Sequence, residues 1–180
     1  MPRKKRIWYP GAVYHIVNRG NRKSELFRDQ ADNKYFLNIM LKAKNKFNFQ
    51  LFSYCLMINH YHLEIQTNET EIWKIMRSVN LHYAKYFNNK YDLSGHLFQD
   101  RYNSTMIENN YQKLLVSRYI HLNPVRANLV SEAAKYKWSS FGVYLGKRKS
   151  ELVTTEALLS FFANNSRKKY KDYVESLIKI

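Results

Sequence analysis

Two short constellations in this chain combine residue types and spacings suited to chemistry. The first is His60-Tyr61-His62, inside the stretch Met57-Ile58-Asn59-His60-Tyr61-His62-Leu63-Glu64-Ile65-Gln66. If His60 opens a strand, side chains two apart project to the same face, and the two imidazoles stand about 7 Å apart at their roots. That spacing suits two nitrogen ligands converging on one divalent metal. The same pattern also occurs as two ordinary histidines on a half-exposed strand. The second constellation is Tyr119 with Asn123, which share a face if their segment is helical. Laid across the histidine-bearing strand, such a helix would bring Tyr119 towards the metal and offer the Asn123 amide oxygen as a further ligand. Two nitrogens and one amide oxygen form a mixed set that Mg²⁺ or Mn²⁺ can occupy, completed by water and a phosphate. By periodicity alone, however, Tyr119 lies on one stripe with Leu115 and Leu122 and reads as a core tyrosine.

The elements that must position these residues follow from pattern. Gly11 to Asn18 carries a β-branched apolar run and predicts a strand. The basic loop Asn18-Arg19-Gly20-Asn21-Arg22-Lys23 follows it. Asp29 predicts a helix N-cap, with Asp32 in the first turn. Tyr35, Phe36, Ile39, Met40, Ala43 and Phe47 then recur at helical spacing. A hairpin is expected over 49–57 and 60–66, turning at Ile58-Asn59. By parity Glu64 shares the histidine face, where it either crosses to solvent or lies near the metal. Asn68 with Glu71 resembles a capping box and opens a helix through Ile72, Ile75, Met76, Val79, Tyr83 and Phe87. Tyr102 to Glu108 reads as a fourth strand. Asn109 with Gln112 opens a third helix, expected to end or kink at Asn123 because Pro124 disfavours helical geometry there.

The order is β-α-β-β-α-β and then a helix, which is the ferredoxin-like order of an α+β fold. Its antiparallel sheet would carry two helices on one face and leave the other free for a ligand or a further helix. Beyond residue 125 come Trp138-Ser139-Ser140 and two helix-like stretches, 156–163 and 168–178. Residues 1–146 are expected to form one domain with a basic N-terminal arm, and residues 147–180 a helical extension of it.

Composition narrows the partners. Lys and Arg number 30 against 14 Asp and Glu, a net charge of +16 over 180 residues. Such an excess points to a polyanion, nucleic acid before an anionic membrane surface. No apolar run is long enough to span a bilayer. Pro2-Arg3-Lys4-Lys5-Arg6 is basic and lacks the apolar core of a signal peptide. Cys55 is the only cysteine, which excludes an internal disulfide and a cysteine-based zinc site. A cytoplasmic protein fits these features.

His60-Tyr61-His62 resembles the histidine-hydrophobe-histidine (HUH) motif. Tyr119-Ile120-His121-Leu122-Asn123-Pro124-Val125-Arg126 resembles the tyrosine-helix signature of the REP-associated tyrosine transposases, relatives of the single-tyrosine HUH transposases of bacterial insertion sequences. Asn18-Arg19-Gly20-Asn21, Gly95-His96-Leu97-Phe98-Gln99-Asp100-Arg101-Tyr102 and Tyr136-Lys137-Trp138-Ser139-Ser140-Phe141 also match, in the right order and over nearly the whole chain. The resemblance implies a ferredoxin-like fold, His60 and His62 as metal ligands, Tyr119 as nucleophile and Asn123 as the amide-type third ligand. It implies Mg²⁺ or Mn²⁺ as cofactor and single-stranded hairpin DNA as substrate, met as a monomer or as a dimer that exchanges the tyrosine helix. It also implies a bacterial, nucleoid-associated setting. Two positions depart from the pattern: Ile58, where relatives often have proline, and Glu64, where they often have an apolar residue.

A phenol is a poor nucleophile at neutral pH, with an ordinary pKa of about 10, and a phosphodiester repels anions. A divalent cation offsets the second difficulty. Attack by tyrosine would give a 5′-phosphotyrosine and a free 3′-OH, conserving the linkage energy for later strand transfer. Arg19, Arg22, Lys23, Gln99, Arg101 and Arg126 are the candidates for phosphate or base contact. Tyr and Phe rings could stack on unpaired bases. His121 points away from Tyr119 and reads as packing or capping, while His15, His82 and His96 have no partner pattern. Two alternatives keep the charge but not the chemistry. One is a non-catalytic nucleic-acid-binding protein of the same fold, and the other is a basic RNA-binding protein with an incidental histidine pair.

Overall fold

The computed structural model describes residues 7–176, so the basic run Pro2–Arg6 and the end of the last expected helix lie outside the described residues. The chain runs β1 (Val13–Arg19), α1 (Gln30–Phe47), β2 (Gln50–Met57), β3 (His60–Gln66), α2 (Ile72–Tyr91), β4 (Asn103–Ile107), α3 (Asn110–Arg126), α4 (Phe141–Tyr144), α5 (Glu156–Leu159) and α6 (Ser166–Glu175). The expected β-α-β-β-α-β order is present. The four strands form one antiparallel sheet in the order β2-β3-β1-β4, with β3 and β1 inside.

Each face of the sheet has a different cover. Tyr14, Ile16, Tyr61, Leu63 and Ile65 join the apolar core with Phe36, Met40, Ile75, Val79 and Tyr83 of α1 and α2. Tyr61 is fully buried, packs against Phe36 and donates a 2.7 Å hydrogen bond to Asn80 Oδ1. On the opposite face α3 lies over β2 and β3, where Ile120 meets Cys55 and Met57. This double cover explains why β2 is buried from Leu51 to Met57.

Local signals set most boundaries. Asp29 and Asp32 form a reciprocal capping box at α1, which ends with Asn48 in the left-handed conformation. Three expectations are corrected. Asn68 does not cap α2; the N-cap is Glu71, without a side-chain cap bond, and Asn68 Nδ2 instead donates to Asn48 O at 2.6 Å. Of the end or kink expected at Asn123, the end does not occur, since α3 continues through Pro124 to Arg126. Leu122, Asn123 and Pro124 are buried there, so tertiary packing outweighs the hydrogen bond that proline removes. The expected helix over 156–163 is shorter, ending at Leu159.

The chain after α3 closes the β2 edge. Leu56 N donates to Trp138 O, Ser140 N to Tyr54 O, and Thr154 N to Leu51 O. An unpaired edge strand is a template for aggregation, and these bonds remove one.

Asp32 ties α1 to α2. Its fully buried carboxylate accepts from Lys90 Nζ (2.7 Å), Tyr91 Oη (2.7 Å), Tyr86 Oη (3.1 Å) and the backbone N–H of Arg28 (2.8 Å). Burial alone would raise its pKa, but the bonds from Lys90, Tyr91 and the backbone hold it below the usual carboxylate range. Asp32→Ala strands these donors and is expected to destabilise the fold by about 2 kcal/mol or more, read by urea unfolding.

Candidate functional site

Because β3 is pleated, burying Tyr61 on the helix side puts His60 and His62 on the other. Their ring centroids are 5.1 Å apart. Tyr119, on the exposed flank of α3, stands edge-on to His62 at 5.5 Å between centroids. α3 covers β2 and β3 and leaves an open cavity of about 610 Å³ over β1 and the start of β4. His60, His62, Tyr119 and Asn123 all line it, together with Arg19, Gln99 and Arg101.

His15 also lines this cavity, although its sequence context carried no partner pattern. It stacks on His62 at 5.3 Å, lies edge-on to Tyr119 at 5.8 Å, and its Nε2 sits 3.1 Å from His62 Nδ1. One usable signal was available. β1 pairs with β3 in the ferredoxin-like order, and His15, Val17 and Arg19 share one parity, so a histidine on that parity faces the histidine pair. The register bears this out, with Val17 opposite His62 and Arg19 opposite His60.

The donor set is arranged consistently. His60 Nδ1 meets Asn59 Oδ1 at 2.7 Å; an amide oxygen only accepts, so this nitrogen carries the proton and Nε2 keeps its lone pair. His62 is engaged at Nδ1 by His15, which likewise leaves Nε2 free of hydrogen bonds. Asn123 Nδ2 donates to Tyr119 O at 2.9 Å, leaving Oδ1 as its unengaged acceptor. Burial lowers the pKa of His60 to about 4, helped by the Arg19 charge. It lowers His62 to about 3, helped by His15, His60 and Arg19, and His15 to about 4. All three imidazoles are therefore neutral at neutral pH, the form a metal requires. Among the described residues no three His, Cys, Asp or Glu side chains form a metal-binding group.

Glu64 lies behind this group, fully buried, with Oε2 accepting from Ser53 Oγ at 2.7 Å and Oε1 without a partner. It does not cross to solvent, and burial raises its pKa to about 8.

The basic candidates divide. Arg19, Gln99 and Arg101 are at the cavity, where Gln99 N donates to Arg19 O at 3.0 Å. Arg126 places its guanidinium 5.0 Å from the Tyr119 ring centroid. Arg22 and Lys23 are exposed in a short 3-10 turn and do not line the cavity. Gly20 precedes that turn, and a Cβ there would collide with the Ser24 carbonyl oxygen.

A profile of the family described as "Transposase IS200 like" matches residues 9–123. The chain belongs to this family. A solved structure described as the REP-associated tyrosine transposase bound to a REP hairpin is similar, with a TM-score of 0.68 and 19% identity, over 87% of this chain and 96% of that one. A second, described as a putative transposase from Deinococcus radiodurans, has a TM-score of 0.47 and 13% identity, over 66% of this chain and 95% of that one. No match was found among curated protein sequences. The family makes this a DNA-processing protein of the transposase type, with the α+β fold of the hairpin-bound relative.

His121 fixes the helix that carries Tyr119. It is fully buried, with Nε2 2.8 Å from Ser140 Oγ and Nδ1 3.0 Å from Tyr170 Oη, and the Tyr170 hydroxyl also meets Ser117 Oγ. Burial lowers its pKa to about 3, against about 6.5 when unfolded. Between those values the unfolded chain binds more protons, so stability falls as pH drops from about 6.5 towards 3, by up to about 1.4 kcal/mol per pH unit. His121→Gln is expected to remove about 2 kcal/mol of the stability difference between about pH 7.5 and about pH 5, measured by urea unfolding at both.

Proposed function

We propose that this transposase-family protein is a metal-dependent single-stranded DNA nickase and strand transferase that works through Tyr119. The observation that carries the reading is the placement of the Tyr119 ring against His62 and His15 in the cavity that also holds His60 and Asn123. His60 Nε2, His62 Nε2 and Asn123 Oδ1 are the atoms that would hold Mg²⁺ or Mn²⁺. When bound, the cation would bind the scissile phosphate and offset the charge that develops on it.

The chain's own groups do the rest. The Tyr119 oxygen attacks phosphorus, forming the O–P bond of a 5′-phosphotyrosine while the P–O3′ bond breaks. The phenol gives up its proton, and the departing oxygen takes one to become the free 3′-OH. A later 3′-OH can attack the same phosphorus and release Tyr119, which rejoins the strand without ATP. Arg126 over the Tyr119 ring, with Arg19, Gln99 and Arg101 around the cavity, would bind the flanking phosphates or a base edge. Arg22 and Lys23 would serve as outer contacts. His15 would orient His62 by accepting from Nδ1–H, which directs Nε2 to the metal. A relative described as bound to a REP hairpin supports a DNA hairpin as the substrate. A net charge of +16 supports salt-sensitive binding. No described helix is long and apolar enough to cross a membrane, and we place the protein in the bacterial cytoplasm, at the nucleoid. Residues 147–180 are read as an extension of the same domain.

The test mixes the protein with hairpin oligonucleotides from its own genomic neighbourhood, with Mn²⁺ or EDTA, and resolves the products on a denaturing gel. A protein–DNA adduct that needs metal and disappears in Tyr119→Phe is expected. Tight binding without an adduct would favour the non-catalytic alternative, and an adduct that survives Tyr119→Phe would reassign the nucleophile. Calorimetric titration with Mn²⁺ tests the role of His15 separately, with His15→Ala expected to weaken metal binding about 10- to 100-fold.

A further inference from the structure

β2 and β3 meet at the two-residue turn Ile58-Asn59, and Asn59 immediately precedes the first histidine of the pair. Asparagine is common in such turns because it tolerates positive φ. That reason does not hold here, since neither turn residue has positive φ. Nor is the Asn59 side chain what fastens the turn. Three backbone donors do so: Leu26 N and Phe27 N give to Ile58 O at 2.8 and 3.1 Å, and Gly20 N gives to Asn59 O at 2.9 Å. The Asn59 amide makes two bonds of a different kind. Its Oδ1 meets His60 Nδ1 at 2.7 Å, and its Nδ2 donates to Lys23 O at 3.3 Å.

The second of these bonds decides the first. A carbonyl oxygen only accepts, so Lys23 O takes the amide N–H and turns Oδ1 towards His60. With the amide reversed, its N–H would meet His60 Nδ1. That nitrogen would then have to accept, leaving the imidazole proton on Nε2, where it blocks a metal. Lys23 O is brought to Asn59 by a strained turn. Arg22 and Lys23 both hold positive φ, 52° and 63°, which residues other than glycine adopt at a cost. Gly20 closes the turn by accepting from Lys23 N at 3.0 Å, at a place where a Cβ would strike the Ser24 carbonyl oxygen.

We propose that the turn over residues 20–24 is the outer support of the metal site, in which the Lys23 carbonyl orients Asn59 and Asn59 fixes His60 as the Nδ1–H tautomer. Asn59 is thereby a positioning residue that aims the Nε2 lone pair of His60. The proposal rests on the reading of His60 and His62 as metal ligands given above. It also gives the basic loop a role that its charges do not supply. Arg22 and Lys23 do not line the cavity, and the group that acts on the site is a backbone carbonyl.

Long-range ¹H–¹⁵N spectra of the metal-free protein at about pH 7.5 report which His60 nitrogen carries the proton. The wild type is expected to show Nδ1–H, and Asn59→Ala mainly Nε2–H, the form a free imidazole favours in water. Asn59→Asp keeps an acceptor at this position and is expected to retain both Nδ1–H and metal binding. In calorimetric titrations with Mn²⁺, Asn59→Ala is expected to bind about 10- to 100-fold more weakly. Gly20→Ala opens the turn without touching a ligand and is expected to weaken Mn²⁺ binding about tenfold. The double variant Arg22→Gln with Lys23→Gln removes charge but keeps the carbonyl, and is expected to change it by less than about twofold. Urea unfolding establishes that each variant is folded. An unchanged His60 tautomer in Asn59→Ala would overturn the proposal. So would a loss in the double variant as large as that in Gly20→Ala. If the tautomer responds to Asn59→Ala but the wild type binds no Mn²⁺, the metal reading fails and the orienting role of Asn59 stands. If Asn59→Ala binds Mn²⁺ as tightly as the wild type, the positioning role fails and the metal reading stands.

Discussion

The site depends on the register of β3. Tyr61 is sealed under α1 and α2, with its ring 4.9 Å from Phe36 and 6.3 Å from Phe98, and its neighbours His60 and His62 necessarily face the other way. Burying a side chain of this size is worth roughly 1.5–3 kcal/mol. A slip of one residue would expose it and drive two imidazoles into an aromatic core. Because β3 is an interior strand, its register is set twice, against β1 and against β2. The residue between the two histidines is thus the anchor that aims them.

The other half of the site is positioned from behind. α3 has one buried flank, held by His121, Ser140, Tyr170 and Ser117, and one open flank, which presents Tyr119. The partners of His121 come from after the sheet, Ser140 ahead of α4 and Tyr170 in α6, and Ser140 also accepts from Tyr54 N at 2.9 Å on the β2 edge. The C-terminal segment therefore ties the tyrosine helix to the sheet. α3 covers only the β2–β3 half of this sheet face, and the cavity lies over the rest.

The strands and the first two helices were legible in the sequence because they rest on short-range periodicity, whereas the grouping of His60, His62, Tyr119 and Asn123 in one cavity was expected chiefly from the resemblance. Asp29 and Asp32 at α1 and Asn109 at α3 read correctly, since a cap bond closes within three residues. The failures share a different cause. Asn68 looked like a cap, yet its amide is engaged by the end of α1, and Pro124 looked like a stop or a kink, yet the helix runs on through it, buried, to Arg126. His15 was missed because its meaning lies in a pairing with a strand almost fifty residues on. The resemblance to the transposases supplied the proposed role of Tyr119, which periodicity alone assigned to the core and which the structure leaves 39% exposed.

Charge is distributed in a way that suits the proposed chemistry. The chain carries +16 overall and the Arg126 guanidinium lies 5.0 Å from the Tyr119 ring centroid, while the two imidazoles that meet that ring are neutral at neutral pH. Burial keeps His15, His60 and His62 unprotonated, and burial raises Glu64 to about 8, so the floor behind His62 carries no charge at neutral pH. Arg19 and Arg101 line the same cavity, and together with Arg126 they would attract a phosphate chain across a screening length of about 8 Å. The proposed third ligand is an amide and not a carboxylate, so nothing in the ligand set cancels the charge of a divalent cation. A phosphate drawn in by these arginines would lie in the cavity beside Tyr119, where the proposed attack needs it.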